Sequence, residues 1–422
     1  MKPLSLLFCC TQNNKFSVTA LAAAVEHDAA LAAVRMRFPQ PEDMAAEAAL
    51  AFNEGGRVIC AFSFFTADAP SAQKTALDLR KRFGDKIFLM AGGPHATALA
   101  QETLELGFDA AGIGEGEISF PSFLRKFIAG ENWRECAGFA FIKDGRFHFT
   151  GRAPVTNLDE FFPIAPKSGR YSAIEISRGC PNACAFCQVT RLAGSVPRYR
   201  SVEKICEAAD IMAQVGMRDF RAVSPNAFAY GSPDGKKLNL SELERLLAGL
   251  RAVLGQKGKI FLGTFPSEVR PEHVTPQTIA LVRKYADNDN LVIGAQSGSE
   301  RILTRTNRGH GVPEIFTAAE LCLKNGIIPN FDFIFGLPGE TAEDARQSLS
   351  VITRLAKAGA RIHAHTFMPL PGTPLWKEKC GDISAYDIKE LRTLSATGRL
   401  YGIWHRQKAI ADATAKRFGK AA

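Results

Sequence analysis

Twice along this chain of 422 residues, short apolar runs alternate with stretches of helical periodicity. That alternation is the mark of a parallel sheet flanked by helices. The first series reads LSLLFC, VTALAAAVEH, LAAVRMRF, PEDMAAEAALAF, RVICAFSFF, SAQKTALDLRKRFG, KIFLMAGG, ALAQETLELG and FDAAGIGEGE, and predicts a doubly wound, Rossmann-like domain over residues 1–130. The second starts near Tyr171 with SAIEIS and ends with RIHAHTFMPL. Its strands and helices form six pairs or near pairs, the content of a partial (β/α)6 barrel over 171–380. Between them, 131–170 reads as a linker, with an Asp-Gly turn inside KDGRFHF and a Pro-rich run. Residues 381–422 read as a basic helical tail. The length exceeds what one core organises, so two domains are expected.

The cysteine loop follows the first strand of the second series, where barrels place their chemistry. It reads RGCPNACAFCQ, placing Cys180, Cys184 and Cys187 as C-x3-C-x2-C. A structural zinc site takes four ligands, usually as two separated pairs, so one compact triplet suits zinc poorly. Thiolates also hold iron-sulfur clusters, and a cubane with three protein ligands leaves one iron open for chemistry.

This triplet, with Phe186 just before its last cysteine, resembles the signature of the radical S-adenosylmethionine (radical SAM) superfamily. The resemblance implies a [4Fe-4S] cluster on the three cysteines. It also implies SAM chelated by the open iron, and reductive cleavage of SAM to a 5'-deoxyadenosyl radical. Further segments resemble family motifs on successive strands. AVSPNAFAYG would meet the SAM amino group through Ser224, Pro225 and Asn226. GAQSGSERILTRTNRGH would line the pocket through Gln296, Ser297, Gly298 and Ser299. FIFGLPGET would pack on adenine through Phe335, Gly336 and Leu337, and FMPLPGTPLW would close the pocket with Met368 and Pro369. Taken singly, the Pro-Gly pieces are also ordinary turns. Arg301, Arg305 and Arg308, spaced four and three apart, suit one helical face turned to an anion or to solvent. His363 and His365 share one side of a strand, facing either the barrel mouth or the helices.

In the first series, the carboxyl ends of the strands gather Thr11 to Asn14, Ser63 to Thr66, Gly92 to Thr97 and Gly114 to Glu117 around one crevice. No G-x-G-x-x-G opens a first helix, so a dinucleotide is not supported. AGGPHATA followed by GIGEGE resembles the cobalamin-binding domain found before many radical SAM domains. That resemblance implies cobalamin held by Thr11, Ser63, Thr66, Gly92, Gly93, Pro94, His95, Gly114, Glu115 and Gly116. The glycines equally suit a strand-to-helix turn, and His95 a hydrogen-bonded loop residue. The D-x-H-x-x-G motif that supplies a lower histidine ligand to cobalt does not occur, so cobalamin is expected without it.

Residues 1–150 carry 15 Lys and Arg against 17 Asp and Glu, leaving 37 against 26 for the remainder of a chain whose net charge is +9. The basic excess therefore accompanies the cysteine motif. It suits an anionic cofactor or substrate, and nucleic acid is not expected as a partner. MKPLSLLFCC is too short an apolar run for a membrane span, so a cytoplasmic enzyme with reduced thiols is expected. The paired domains imply a cobalamin-dependent radical SAM methyltransferase acting on an unactivated carbon or phosphorus centre, with a flavodoxin- or ferredoxin-like electron donor. The alternatives are a methylthiotransferase-like enzyme modifying tRNA or protein, and a noncatalytic iron-sulfur protein. The methylthiotransferase family carries a second cluster on three N-terminal cysteines, and the contexts of Cys9, Cys10, Cys60 and Cys136 do not match its second and third.

Overall fold

The computed structural model describes residues 3–418, which divide into two compact units between Ser172 and Ala173. The first unit is built on a seven-stranded sheet of order β2-β1-β3-β4-β5-β6-β7. Its parallel part comprises β1 (Leu4–Cys9), β2 (Arg35–Arg37), β3 (Arg57–Ser63), β4 (Ile87–Gly92) and β5 (Ala110–Gly112). Strand alternation sends Leu7, Cys9, Cys60 and Phe62 into one core and Leu6, Phe8 and Ile59 into the other. Helices Met44–Asn53 and Ala69–Phe83 supply the first core, and Lys15–His27 and Gly116–Ala129 the second. Both faces being covered explains why every residue of β1 is buried.

The expected linker at 131–170 is instead part of this unit. Its hairpin, β6 (Phe139–Lys143) and β7 (Arg146–Phe149), turns through Asp144 and Gly145 at positive φ and pairs antiparallel with β5. Without it, β5 would present an open edge. Trp133, Phe139 and Phe141 pack with Phe123 and Phe88 in the second core, so this segment carries apolar residues that linkers lack.

The second unit is an open parallel barrel. Its strands are β8 (Ile174–Glu175), β11 (Asp219–Val223) and β12 (Lys259–Phe261) in one sheet, and β13 (Asn290–Gln296), β14 (Ile328–Phe335), β15 (Arg361–Thr366) and β16 (Leu400–Tyr401) in another. A parallel bridge between Val269 and Ile293, with Val292 N donating to Gly263 O at 2.8 Å, joins the two. A short hairpin of β9 (Ser177–Arg178) and β10 (Arg198–Tyr199) closes the base of the cysteine loop. The six expected strands are present, and β16 adds a seventh. Residues 381–422 are accordingly no mere tail among the described residues. Leu400 and Tyr401 pair with Ile362 and His363, and helix Trp404–Phe418 returns over β15, burying Trp404 and Ala411. The helix is basic outside but carries the apolar residues that cover the last strand.

Candidate active site

The cysteine loop is held from several sides. Gly179 enters it at φ +89, where a Cβ would lie 2.4 Å from Val196 O, so only glycine fits. Cys180 N donates to Gly194 O at 3.0 Å and Thr190 Oγ1 to Cys180 O at 2.7 Å. The segment after helix Glu300–Arg305 braces the far side. Ala185 N donates to Thr306 O at 3.0 Å, and Asn307 Nδ2 to Asn182 O at 2.7 Å.

Each thiol accepts an N–H. Asn182 Nδ2 reaches Cys180 Sγ at 3.5 Å, Arg308 Nη1 reaches Cys184 Sγ at 3.4 Å, and Val189 N reaches Cys187 Sγ at 3.5 Å. Donors aimed at sulfur favour thiolates. Burial pushes the Cys187 thiol up to about 12, so a thiolate there needs a metal cation to hold it. Three thiols with directed donors, and none of the other cysteines in the loop, fit a cluster with three protein ligands.

Arg301, Arg305 and Arg308 do not form one face. Arg301 pairs with Asp344, and Arg305 donates to Pro338 O at 3.1 Å. Arg308 lies beyond the helix end, buried against Cys184 and Gly294 O.

Beside the loop, at the ends of β13, β14 and β15, lies a cavity of about 270 Å³. Of the SAM candidates, Phe186, Gln296 and Met368 line it, with Glu268, Asp332, Ile334, His365, Thr366, Phe367, Leu370 and Gln407. Gln296 reaches it because the β13–β14 register slips between Gly294 and Gln296, leaving Gln296 at φ +72. A bulge re-aims a side chain in this way, and a non-glycine residue held there marks local strain.

The neighbouring candidates turn elsewhere. Ser297 Oγ contacts Ser348 Oγ at 3.2 Å, Gly298 N donates to Ser348 Oγ at 2.9 Å, and Ser299 Oγ donates to Asp344 Oδ1 at 2.6 Å while capping its own helix. These three pack against helix Ala342–Ala358 rather than line the cavity. Ser224 shares a 2.7 Å hydrogen bond with Ser177, and Asn226 Nδ2 lies 2.6 Å from His273 Nδ1. Both are buried, with Pro225 half-buried between them. Phe335, Gly336 and Leu337 are buried too, Leu337 against Ile302, Phe367, Cys380 and Ala411. Pro369 is likewise buried. None of these lines the cavity.

Sequence reasoning missed Glu268, Asp332 and Gln407. A Cβ on Gly294 would lie 2.8 Å from Gln296 Nε2 and 3.0 Å from both Arg308 Nη2 and Glu268 Oε2, so three side chains converge over that glycine. Burial pushes the Glu268 carboxyl up, against the pull of Arg308. An acidic residue in a largely apolar strand was the available signal for Asp332. Nothing local marks Glu268 or Gln407.

In the first unit, the strand order places the reversal between β1 and β3, where such sheets bind ligands. Asn14 ties the two loops there. Its Nδ2 donates to Cys9 O at 2.8 Å and Ser63 O at 3.0 Å, and its Oδ1 accepts from Thr11 N at 2.9 Å. Gly93, at φ +88, has no room for a Cβ, which would lie 2.7 Å from Ser63 Oγ. Thr11 and Gly114 are exposed at these strand ends, and Ser63, Gly92, Gly93, Pro94, Glu115 and Gly116 are half-buried. Thr66 and His95 instead turn inward. His95 is fully buried, its Nδ1 lies 3.2 Å from Thr66 Oγ1 and its Nε2 3.4 Å from Glu102, and its ring packs on Phe64.

Residues 174–352 match the model of the Radical SAM superfamily. An uncharacterized methyltransferase of Pyrococcus horikoshii is 24% identical over 318 residues, spanning 72% of this chain and 65% of that protein. A tRNA-2-methylthio-N(6)-dimethylallyladenosine synthase of Pelobacter propionicus is 28% identical over 222 residues, 51% of this chain and 47% of its own length. The chain thus spans 65% and 47% of the length of these two curated relatives. Among solved structures, the radical S-adenosylmethionine methyltransferase TsrM from Kitasatospora setae, with cobalamin and a [4Fe-4S] cluster bound, superposes with a TM-score of 0.69 at 15% identity. That match covers 90% of this chain and 74% of TsrM, and is a likeness of fold. No helix among the described residues is long and apolar enough to cross a membrane.

Proposed function

We propose that this chain, whose residues 174–352 match the model of the Radical SAM superfamily, is a cobalamin-dependent radical SAM methyltransferase acting on an unactivated carbon or phosphorus centre. The observation that carries the reading is the cysteine loop itself: three thiols, each with its own N–H donor, beside a cavity that Phe186 of the same loop lines. When bound, the cluster supplies an electron to SAM, and cobalamin carries the methyl group. Cys180, Cys184 and Cys187 would hold the cluster, with Arg308 orienting Cys184. Ile334, Phe367, Met368 and Leu370 exclude water from the cavity, and Glu268, Gln296 and Asp332 offer the polar contacts that orient what enters it.

For cobalamin, the fitting surface is the shelf of half-buried Ser63, Gly92 and Gly93 and exposed Gly114, where the glycines carry no Cβ. His95 cannot serve as a lower cobalt ligand, because its nitrogens are engaged with Thr66 and Glu102 inside the core. This agrees with the missing D-x-H-x-x-G motif. A flavodoxin- or ferredoxin-like protein would deliver the electron.

The methylthiotransferase-like alternative needs a second cluster in the first unit. Cys9 and Cys60 face one core and Cys136 the other, and burial pushes the Cys9 thiol up to about 12. Such thiols do not converge on a metal. Iron content separates the readings, about four per chain against about eight.

The test is anaerobic incubation of the reduced, reconstituted protein with SAM. Formation of 5'-deoxyadenosine that Cys184→Ala abolishes is expected, and its absence would favour a noncatalytic iron-sulfur protein. Electron paramagnetic resonance with cob(II)alamin should give a bound spectrum without nitrogen splitting. A chain that takes the cluster but no cobalamin would return the methylthiotransferase-like reading to the front.

A further inference from the structure

Asp332, His363 and His365 bring three ligand atoms to one point at the edge of the barrel cavity. His363 Nδ1 lies 2.9 Å from Asp332 Oδ1, His365 Nε2 lies 3.1 Å from His363 Nδ1, and His365 Nε2 lies 3.7 Å from Asp332 Oδ1. The backbone produces this triangle directly. His363 and His365 are two apart on β15 and share a face, and the parallel register sets Asp332 of β14 opposite His363.

Hydrogen bonding accounts for only part of it. The Nδ1–H of His363 can donate to Asp332, satisfying one edge. The nitrogen of His365 then meets a donor already used and a carboxylate oxygen beyond normal hydrogen-bond range. A cation at the centre satisfies all three edges. Bonds of about 2.1 Å separate adjacent ligand atoms by about 3.0 Å in an octahedral site and about 3.4 Å in a tetrahedral one, values that the three observed separations bracket. Among the described residues, this is the one group of three or more His, Cys, Asp or Glu whose ligand atoms lie within 4.8 Å of one another.

The imidazoles are held in place by their neighbours. Tyr401, opposite His363 on β16, stacks on its ring at 4.6 Å and 7°. Gln407 packs beside the second nitrogen of His365, its Nε2 3.4 Å away. The three side chains keep 13–30% exposure, and His365 and Asp332 line the cavity, so coordination positions remain open toward it.

We propose that Asp332, His363 and His365 bind a divalent first-row transition ion, separate from the cysteine loop, whose open positions take an oxygen or nitrogen donor entering the cavity. Two imidazoles and one carboxylate select that class over magnesium or calcium. The proposal does not depend on the cobalamin reading, because metal binding is measured without turnover.

The test is equilibrium dialysis of the full-length, cluster-loaded protein against Zn²⁺ under anaerobic conditions, with metal counted by mass spectrometry. The expectation is about one zinc per chain, retained when Cys180, Cys184 and Cys187 are all replaced by alanine. In that triple variant, Co²⁺ should give visible bands without sulfur charge transfer. His363→Gln and His365→Gln should each weaken binding by about a hundredfold or more, with Asp332→Asn as the alternative should either fail to take up its cluster. His148→Gln, on the exposed β7, should bind as the parent does. Zinc that stays with the histidine variants, or leaves with the cysteines, overturns the proposal, as does a parent protein that binds none.

Discussion

Arg308 and Glu268 offer a test of how the site is held together. Arg308 Nη2 and Glu268 Oε2 each lie 3.0 Å from the position a Cβ on Gly294 would take, so the two charges stand no more than about 6 Å apart. Arg308 also donates to Cys184 Sγ and Gly294 O and is buried, while Glu268 is half-buried on the cavity wall. At about 6 Å and an effective dielectric constant of about 20, opposite unit charges attract by about 2.8 kcal/mol. Arg308→Met should therefore destabilise the iron-free protein by about 2–3 kcal/mol, because the Glu268 carboxyl loses its cation and takes up a proton instead. Glu268→Gln alone should cost less, since a neutral amide loses charge but fills the same space. The double variant should recover about 2–3 kcal/mol relative to the sum of the singles. Urea unfolding of the four proteins at about pH 8, where the parent's carboxyl is ionised, gives the coupling. A coupling below about 0.5 kcal/mol would refute the idea that the pair acts as one unit. The cysteine loop would then be held by its backbone contacts alone.

Trp133→Ala should destabilise the first unit by about 3–5 kcal/mol in thermal unfolding, a loss that a linker residue would not produce. Gly93→Ala should cost at least about 1–2 kcal/mol from its positive φ alone, and it should weaken cobalamin binding by displacing Ser63. Dialysis against cobalamin checks the second effect, and unchanged affinity would remove the glycine shelf from the binding surface. Burial pushes the Glu340 carboxyl from 4.5 up to about 7. Since the folded state holds that proton more tightly than the unfolded chain, stability from this group is full below about pH 4.5 and is lost as pH rises to about 7. Glu340→Gln should flatten that slope while still accepting from Gly336 N, and an unchanged slope would locate it elsewhere.

What could be read along the chain were features set by neighbours in sequence. Apolar periodicity marked the parallel strands of both units, because alternation and helical spacing are local properties. The loop of Cys180, Cys184 and Cys187 was legible because its ligands lie within eight residues. Contacts across the sheets decided the remainder. The KDGRFHF hairpin looks like a linker until β5 is seen to need a partner, and Leu400–Tyr401 is too short to read as a strand until His363 pairs with it. The QSGS stretch divides, Gln296 toward the cavity and Ser297 to Ser299 onto a helix, because a register slip against β14 turns one residue out of phase. Glu268, Asp332 and Gln407 meet around one cavity from three distant segments. Sequence spacing carries no record of that meeting, since which side chains share a cavity depends on register between strands, and register is set by hydrogen bonds between residues far apart in the chain.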